Sequence, residues 1–143
     1  MKKGISYDYI RGLVEGEGCF TFSKISKNRK IPSFAIGMSR RDKELLYLVK
    51  EKLKLRNKVY EYPPRIRKDG YKRGGMCMLV VRDFGQLKNI IIPVFYEKLR
   101  GNKAKQFEEW LEKIGSDPDV LESFRFLYKL HVNGFYKNNA VFE

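Results

Sequence analysis

Two glutamates, Glu15 and Glu17, close the segment Ile10-Arg11-Gly12-Leu13-Val14-Glu15-Gly16-Glu17-Gly18. The segment is apolar with helical spacing, so both acids fall at the carboxyl end of a helix. The helix dipole is negative there, and each acid costs about 0.3–1 kcal/mol. A sequence that breaks a local rule in this way keeps the residues for a task. A divalent cation bound to oxygen ligands would offset the repulsion and supply that task. Gly12 and Gly16 stand four apart and share a helix face. Each glycine weakens a helix by about 1 kcal/mol relative to alanine. Either that face packs tightly inside the subunit, or the backbone of a second copy approaches it closely.

The nonamer resembles the LAGLIDADG motif of homing endonucleases. Gly12, Leu13 and Gly18 match identically, and Ile10, Val14, Glu15, Gly16 and Glu17 are conservative replacements. Arg11 departs, standing where the family usually has a small residue. The alternating run Cys19-Phe20-Thr21-Phe22-Ser23 follows, then Ser39-Arg40-Arg41-Asp42, then the stretch from Pro93-Val94-Phe95 through Lys103 and Phe107. The resemblance covers residues 5–112. It implies an α+β fold whose four-stranded antiparallel sheet forms a DNA-binding saddle. One motif per chain implies a homodimer whose paired motif helices meet through Gly12, Leu13 and Gly16 across an isologous interface.

The activity implied is that of a site-specific homing endonuclease, a metal-dependent hydrolase acting on double-stranded DNA. It breaks both strands of a long, near-palindromic target in a Mg²⁺-dependent reaction. The family pattern points to Glu17 as metal ligand, assisted by the Gly16 carbonyl. Metal ions polarise the phosphate, lower the pKa of the attacking water and neutralise the leaving oxygen. Glutamate in place of the usual aspartate at 17 is one methylene longer but remains an oxygen ligand. Glu15 is left a capping or interface role. Lys98 and Lys103 compete as the cation that stabilises transition-state charge, each favoured by a different branch of the family. Arg40 occupies a strand-end position where relatives keep a polar, water-organising residue. A related protein that binds DNA without cutting, or an RNA-binding splicing maturase, is the alternative reading.

These groups need elements to hold them. Ser6 is a candidate N-cap for a helix from Tyr7 to Glu17. Strands are expected at Cys19–Ile25 and Ile31–Met38, joined by a basic turn. Ser39 then caps a helix whose apolar stripe is Leu45, Leu46, Leu48, Val49 and Leu53. Further strands are expected at Lys58–Tyr62 and Met76–Val81, on either side of a basic loop or hairpin, Arg65–Gly75. A helix from Phe84 to Phe95 should be interrupted by Pro93. Another should run from Gly101 to Ile114 with Gly115 as its stop, its Phe107 and Trp110 facing the core. A last helix should start at Ser116 or Asp117 and run to His131; residues 133–143 show no period. The order is α-β-β-α-β-β-α-α, with an added C-terminal helix. Helices would cover one face of the sheet and leave the other solvated.

On that open face, strand parity turns Thr21 and Ser23 away from Phe20 and Phe22. DNA contacts are expected from Thr21, Ser23, Lys24, Ser33 and Tyr60. One loop tip would add Lys27, Asn28, Arg29 and Lys30, and another Arg65, Arg67, Lys68, Tyr71, Lys72 and Arg73. A two-stranded ribbon fits the major groove, where arginine bonds bidentately to guanine.

Charge agrees with a polyanionic partner. The 143-residue chain carries a formal +13. Residues 101–143 hold six Lys/Arg and seven Asp/Glu, so the whole positive excess lies in residues 1–100, with the motif. A merely solvated basic surface, as in a ribosomal protein, is the bland alternative. At this length the expectation is one domain, residues 1–143. The absence of a long apolar run argues against a membrane span, and Met1-Lys2-Lys3 leads into no signal-like segment, which points to an intracellular protein. Cys19 and Cys77 form no metal-ligand spacing and no disulfide framework. A single histidine, His131, excludes His-based nuclease sites.

Overall fold

The computed structural model describes residues 4–143, with Arg73 by its backbone alone; Met1–Lys3 lie outside the described residues. Helix α1 (Tyr7–Glu17) opens at Ser6, whose side chain accepts a hydrogen bond from the Tyr9 amide at 3.0 Å. Its apolar side buries Ile10 and Val14 completely. The chain then turns at once into β1 (Gly18–Ser26), which pairs antiparallel with β2 (Arg29–Ser39). Only glycine fits position 18: a Cβ there would lie 2.6 Å from Val14 Cγ1 and 3.0 Å from the Val14 carbonyl oxygen.

A single 3₁₀ turn, Arg40–Asp42, separates β2 from α2 (Lys43–Leu53). Of the expected stripe, Leu46, Val49 and Leu53 are buried and Leu45 and Leu48 half-buried. Strand β3 (Val59–Tyr62) follows, then a ribbon of β4 (Arg65–Ile66) and β5 (Lys72–Arg73), then β6 (Met76–Val81). The main sheet has the order β1-β2-β6-β3, antiparallel throughout. Its inner face presents Phe20, Phe34, Ile36, Cys77, Leu79, Val81 and Val59 to the helices. Phe20 makes aromatic contacts with Phe34, Phe95, Phe107 and Trp110, at centroid distances of 4.9–5.7 Å. The Trp110 indole donates to the Thr21 carbonyl at 2.7 Å, tying α5 (Asn102–Ser116) to β1.

Three expectations on local structure change. The helix before Pro93 is not simply broken there. It runs as α3 (Phe84–Gln86), a π-helical turn (Leu87–Ile91) and α4 (Ile92–Phe95). Proline lacks the amide for an i→i−4 bond and its ring crowds the preceding turn, so the ladder widens just before it.

Gly115 does not stop α5, which runs on to Ser116. Position 115 is a close approach: a Cβ there would sit 2.3 Å from the Tyr128 ring on α6 (Arg125–Val132).

The last helix does not start at 116 or 117 either. The Lys30 amide donates to the Asp119 carbonyl at 2.9 Å and the Leu121 amide to the Lys30 carbonyl at 3.1 Å, pinning beside the sheet a turn that the Val120 amide closes on the Asp117 carbonyl at 3.2 Å. The Arg125 guanidinium donates to the carbonyls of Ile114, Gly115, Asp117 and Val120 and fixes that connection.

The C-terminal stretch forms α7 (Phe135–Asn138), and Phe142 then packs edge-on against Tyr7 at 5.2 Å. Among the described residues no helix is long and apolar enough to cross a membrane.

Candidate functional site

The carboxyl end of α1 separates the roles of its two acids. The Glu15 carboxylate accepts from the Arg100 amide at 2.7 Å and the Gly101 amide at 3.1 Å. It therefore caps the amino end of α5, where free N–H groups and the positive dipole end favour an anion. That geometry accounts for one costly acid and matches the capping role expected of it. Glu17 differs. It is exposed and has no hydrogen-bond or ion-pair partner among the described residues. Gly16 beside it is exposed as well.

The two candidate cations lie in different places. Lys103, on the first turn of α5, donates from Nζ to the Gly18 carbonyl at 2.6 Å. Its charge thus sits at the negative end of α1, one residue beyond Glu17. Lys98 is exposed and lines a groove with Asp8, Arg11, Gly12 and Glu15, along the flank of α1. Arg40 is exposed just past β2, its amide donating to the Gly75 carbonyl at 2.9 Å.

The Gly12–Gly16 face is open. A Cβ at either position meets nothing within 4 Å, and Leu13 between them is half-buried. Packing inside the subunit therefore gives no reason for these glycines.

Arg11, the departure from the motif, turns inward and is 5% exposed. It donates to the Val94 carbonyl at 2.8 Å, to Asp8 at 2.9 Å and to the Phe142 carbonyl at 2.7 Å. Every partner is an acceptor, which suits a group with donors only. Sequence reasoning assigned Arg11 no role. Its one signal was a long cation in the apolar first half of the nonamer, where the family usually has a small residue.

The open sheet face carries the second part of the site. Thr21 is exposed and Ser23 half-buried. Lys24 is exposed near the hairpin end, where the β1–β2 register shifts between Lys24 and Ser26. Lys27, Asn28 and Arg29 form an exposed tip. Tyr60 is 44% exposed. On the β4–β5 ribbon Arg65, Arg67, Lys68, Tyr71 and Lys72 are all exposed. Gly70 takes φ +86° at the ribbon turn, a left-handed geometry that favours glycine. The side chain of Arg73 lies outside the described residues.

Two of the expected contacts are less accessible than the rest. Ser33 is 2% exposed, although it lies on the outward parity opposite Thr21. Lys30 is engaged within the protein. Its Nζ lies 2.5 Å from Asp117 and 4.8 Å from the Phe22 ring centre. The Lys30 hydrogen bond, and then the Asp119 amide, hold the Asp117 carboxyl below its ordinary pKa. Nothing in the sequence around Lys30 marked a partner 87 positions later.

The oxygen donors at the end of α1 fit a hard divalent cation. Among the described residues no three His, Cys, Asp or Glu side chains gather to hold a metal. One chain offers the Glu17 carboxylate and the Gly16 carbonyl, so phosphate, water or a second copy would have to supply the remaining oxygen ligands.

A sequence model of the LAGLIDADG endonuclease family matches residues 10–114. Among solved structures, the chain is similar to the homing endonuclease I-TnaI at 23% identity. The match covers 77% of this chain and 71% of that one, with a TM-score of 0.57. It is similar to the I-LtrWI LAGLIDADG homing endonuclease bound to target DNA at 26% identity, covering 76% of this chain and 36% of that one, with a TM-score of 0.59. The LAGLIDADG homing endonuclease I-GzeII, in complex with its DNA target, matches at 23% identity over 100% of this chain and 47% of that one, with a TM-score of 0.60. The chain thus spans less than half the length of the two DNA-bound structures. The α+β fold with its four-stranded antiparallel sheet is common to all of them.

Proposed function

The chain belongs to the LAGLIDADG endonuclease family, and on that premise we propose that it is a Mg²⁺-dependent, site-specific double-strand DNA endonuclease that works as a homodimer. The observation that carries the reading is the state of α1. Its glycine face is vacant and its terminal carboxylate is exposed and unpartnered among the described residues. A second α1 laid against Gly12, Leu13 and Gly16 would bring the two Glu17 carboxylates close together. Like charges so placed repel each other unless a cation lies between them.

Glu17 and the Gly16 carbonyl would hold Mg²⁺, which when bound acidifies the attacking water and shields the leaving oxygen. Lys103 is the residue we assign to the transition-state charge, because its ammonium is already anchored beside the helix end. Lys98 is assigned to the flank of the helix and to backbone phosphate. Arg40, at the rim of the sheet, is assigned to orienting water and phosphate. The sheet face, the β1–β2 tip and the β4–β5 ribbon would lie in the major groove.

The test is cleavage of a randomised plasmid library with Mg²⁺ and with Ca²⁺, wild type beside Glu17→Gln. Linear product with Mg²⁺ that disappears in Glu17→Gln supports the assignment. Undiminished cutting by Glu17→Gln overturns it, and a chain that binds structured RNA but never cuts DNA returns the maturase reading.

A further inference from the structure

Taking the sheet face as the DNA-binding surface, which rests on the function proposed above, the residues on it narrow what it reads. Strand register sets them in rows. Tyr60 stands opposite Met78, and Met78 opposite Gly37. Tyr62 stands opposite Met76, and Met76 opposite Ser39. Val80 stands opposite Ala35, and Ala35 opposite Cys19.

All of these alternate with the buried row of Cys77, Leu79 and Val81, so they face away from the helices. Tyr60 and Tyr62 are 44% and 42% exposed, while Met76, Met78 and Val80 are half-buried. Met78 packs over Gly37: a Cβ there would lie in ordinary van der Waals contact with Met78 Cγ, at 3.6 Å. The β3–β6 half of the face is therefore a floor of thioether, aromatic and aliphatic groups with few hydrogen-bonding atoms. Thr21 and Ser23 lie on the other half, on β1.

A basic ribbon borders this floor. Arg65 continues from Tyr62 through Pro63-Pro64, and a cleft is lined by Tyr62, Pro63, Arg65, Gly74, Met76 and Met78. The cations would hold the phosphates and press the apolar floor against base edges. In the major groove the four base pairs differ in what they offer such a floor. Met76 and Met78 have no donor for the two acceptors of guanine, whereas thymine presents a C5 methyl group that a thioether surface can cover.

We infer that the floor formed by Tyr60, Tyr62, Met76 and Met78 selects thymine, through its C5 methyl group, in the DNA target. The ligand is duplex DNA bearing methyl groups in the major groove, and these four residues set specificity without touching the reacting phosphate.

The experiment changes the DNA, so protein folding does not enter. A preferred duplex is first selected from a random library in Ca²⁺. It is then resynthesised with deoxyuridine for thymidine, which removes the methyl group and leaves the pairing and the O4 acceptor intact. Binding should weaken roughly fourfold for each methyl that the floor buries. A Met76→Gln, Met78→Gln variant should lose most of that discrimination and still bind. Equal binding of the thymine and uracil duplexes overturns the inference while leaving the nuclease reading in place. Failure of the protein to bind any duplex overturns the nuclease reading itself.

Discussion

Replacing Gly12 by leucine should push the protein's stability and its self-association in opposite directions. A Cβ at 12 meets nothing within 4 Å, so the lone subunit accommodates a side chain without strain. The helix gains about 0.8–1 kcal/mol of propensity. For a chain of this length that raises Tm by about 3 °C when variant and wild type are compared at a dilution where neither associates. In the proposed dimer the same side chain lies between two helix backbones. Overpacking costs about 1–3 kcal/mol per site, and a two-fold interface carries the substitution twice. Association should therefore weaken by about 2–6 kcal/mol, a factor of roughly 30 or more. Sedimentation velocity over a range of concentrations reads the association, dilute thermal denaturation reads the subunit, and plasmid linearisation reads the activity. A Gly12→Leu protein that associates and cuts like wild type would refute the reasoning, because the open face would then have no partner. A fall in dilute Tm would refute its premise that the face is unfilled.

Three further outcomes follow from named contacts. Binding to a nonspecific duplex should lose about 0.9 in its log–log salt slope for each phosphate contact removed. Lys27→Ala and Arg29→Ala should show that loss, whereas Lys30→Met should not, because its ammonium is already held by Asp117. Gly115→Ala should destabilise the fold by about 1–3 kcal/mol, since its methyl would enter the Tyr128 ring. Urea titration reads the loss, and Gly115→Ala combined with Tyr128→Ala should cost less than the two changes summed. Asp117 titrates below its ordinary value of 3.8 in the folded state because Lys30 bonds its carboxylate. Its contribution to stability is thus present above that ordinary value and is lost as pH falls through the lower folded one. Asp117→Asn should flatten the acid limb of a stability–pH profile below about pH 4, and an unchanged limb would contradict the pairing.

Much of the fold was legible because its signals are local. Period-3.6 apolar spacing placed α1, α2 and α5, and alternation placed β1, β2 and β6 together with the face each residue takes. The cap at Ser6 and the glycines of the motif were visible for the same reason: each rule spans no more than five residues. The errors cluster where a distant segment outweighs local preference. Asp117-Pro118 reads as a helix start, yet backbone bonds to Lys30 and the four-carbonyl grip of Arg125 hold that stretch as a single turn beside the sheet. Gly115 reads as a stop, yet it is a contact point for Tyr128.

The candidate site divides along the same line. The sequence by itself determined the acids, the glycine spacing, the basic half of the chain and the family they belong to. Only the tertiary structure decided which acid is free. It gave Glu15 to the amino end of α5, left Glu17 exposed, set Lys103 rather than Lys98 at the end of α1, and turned Arg11 into a tether for residue 142. Those assignments depend on which ends of which elements meet across some 85 to 131 positions of chain. Such meetings are set by the burial of the shared core, in which no single segment's periodicity names its partner.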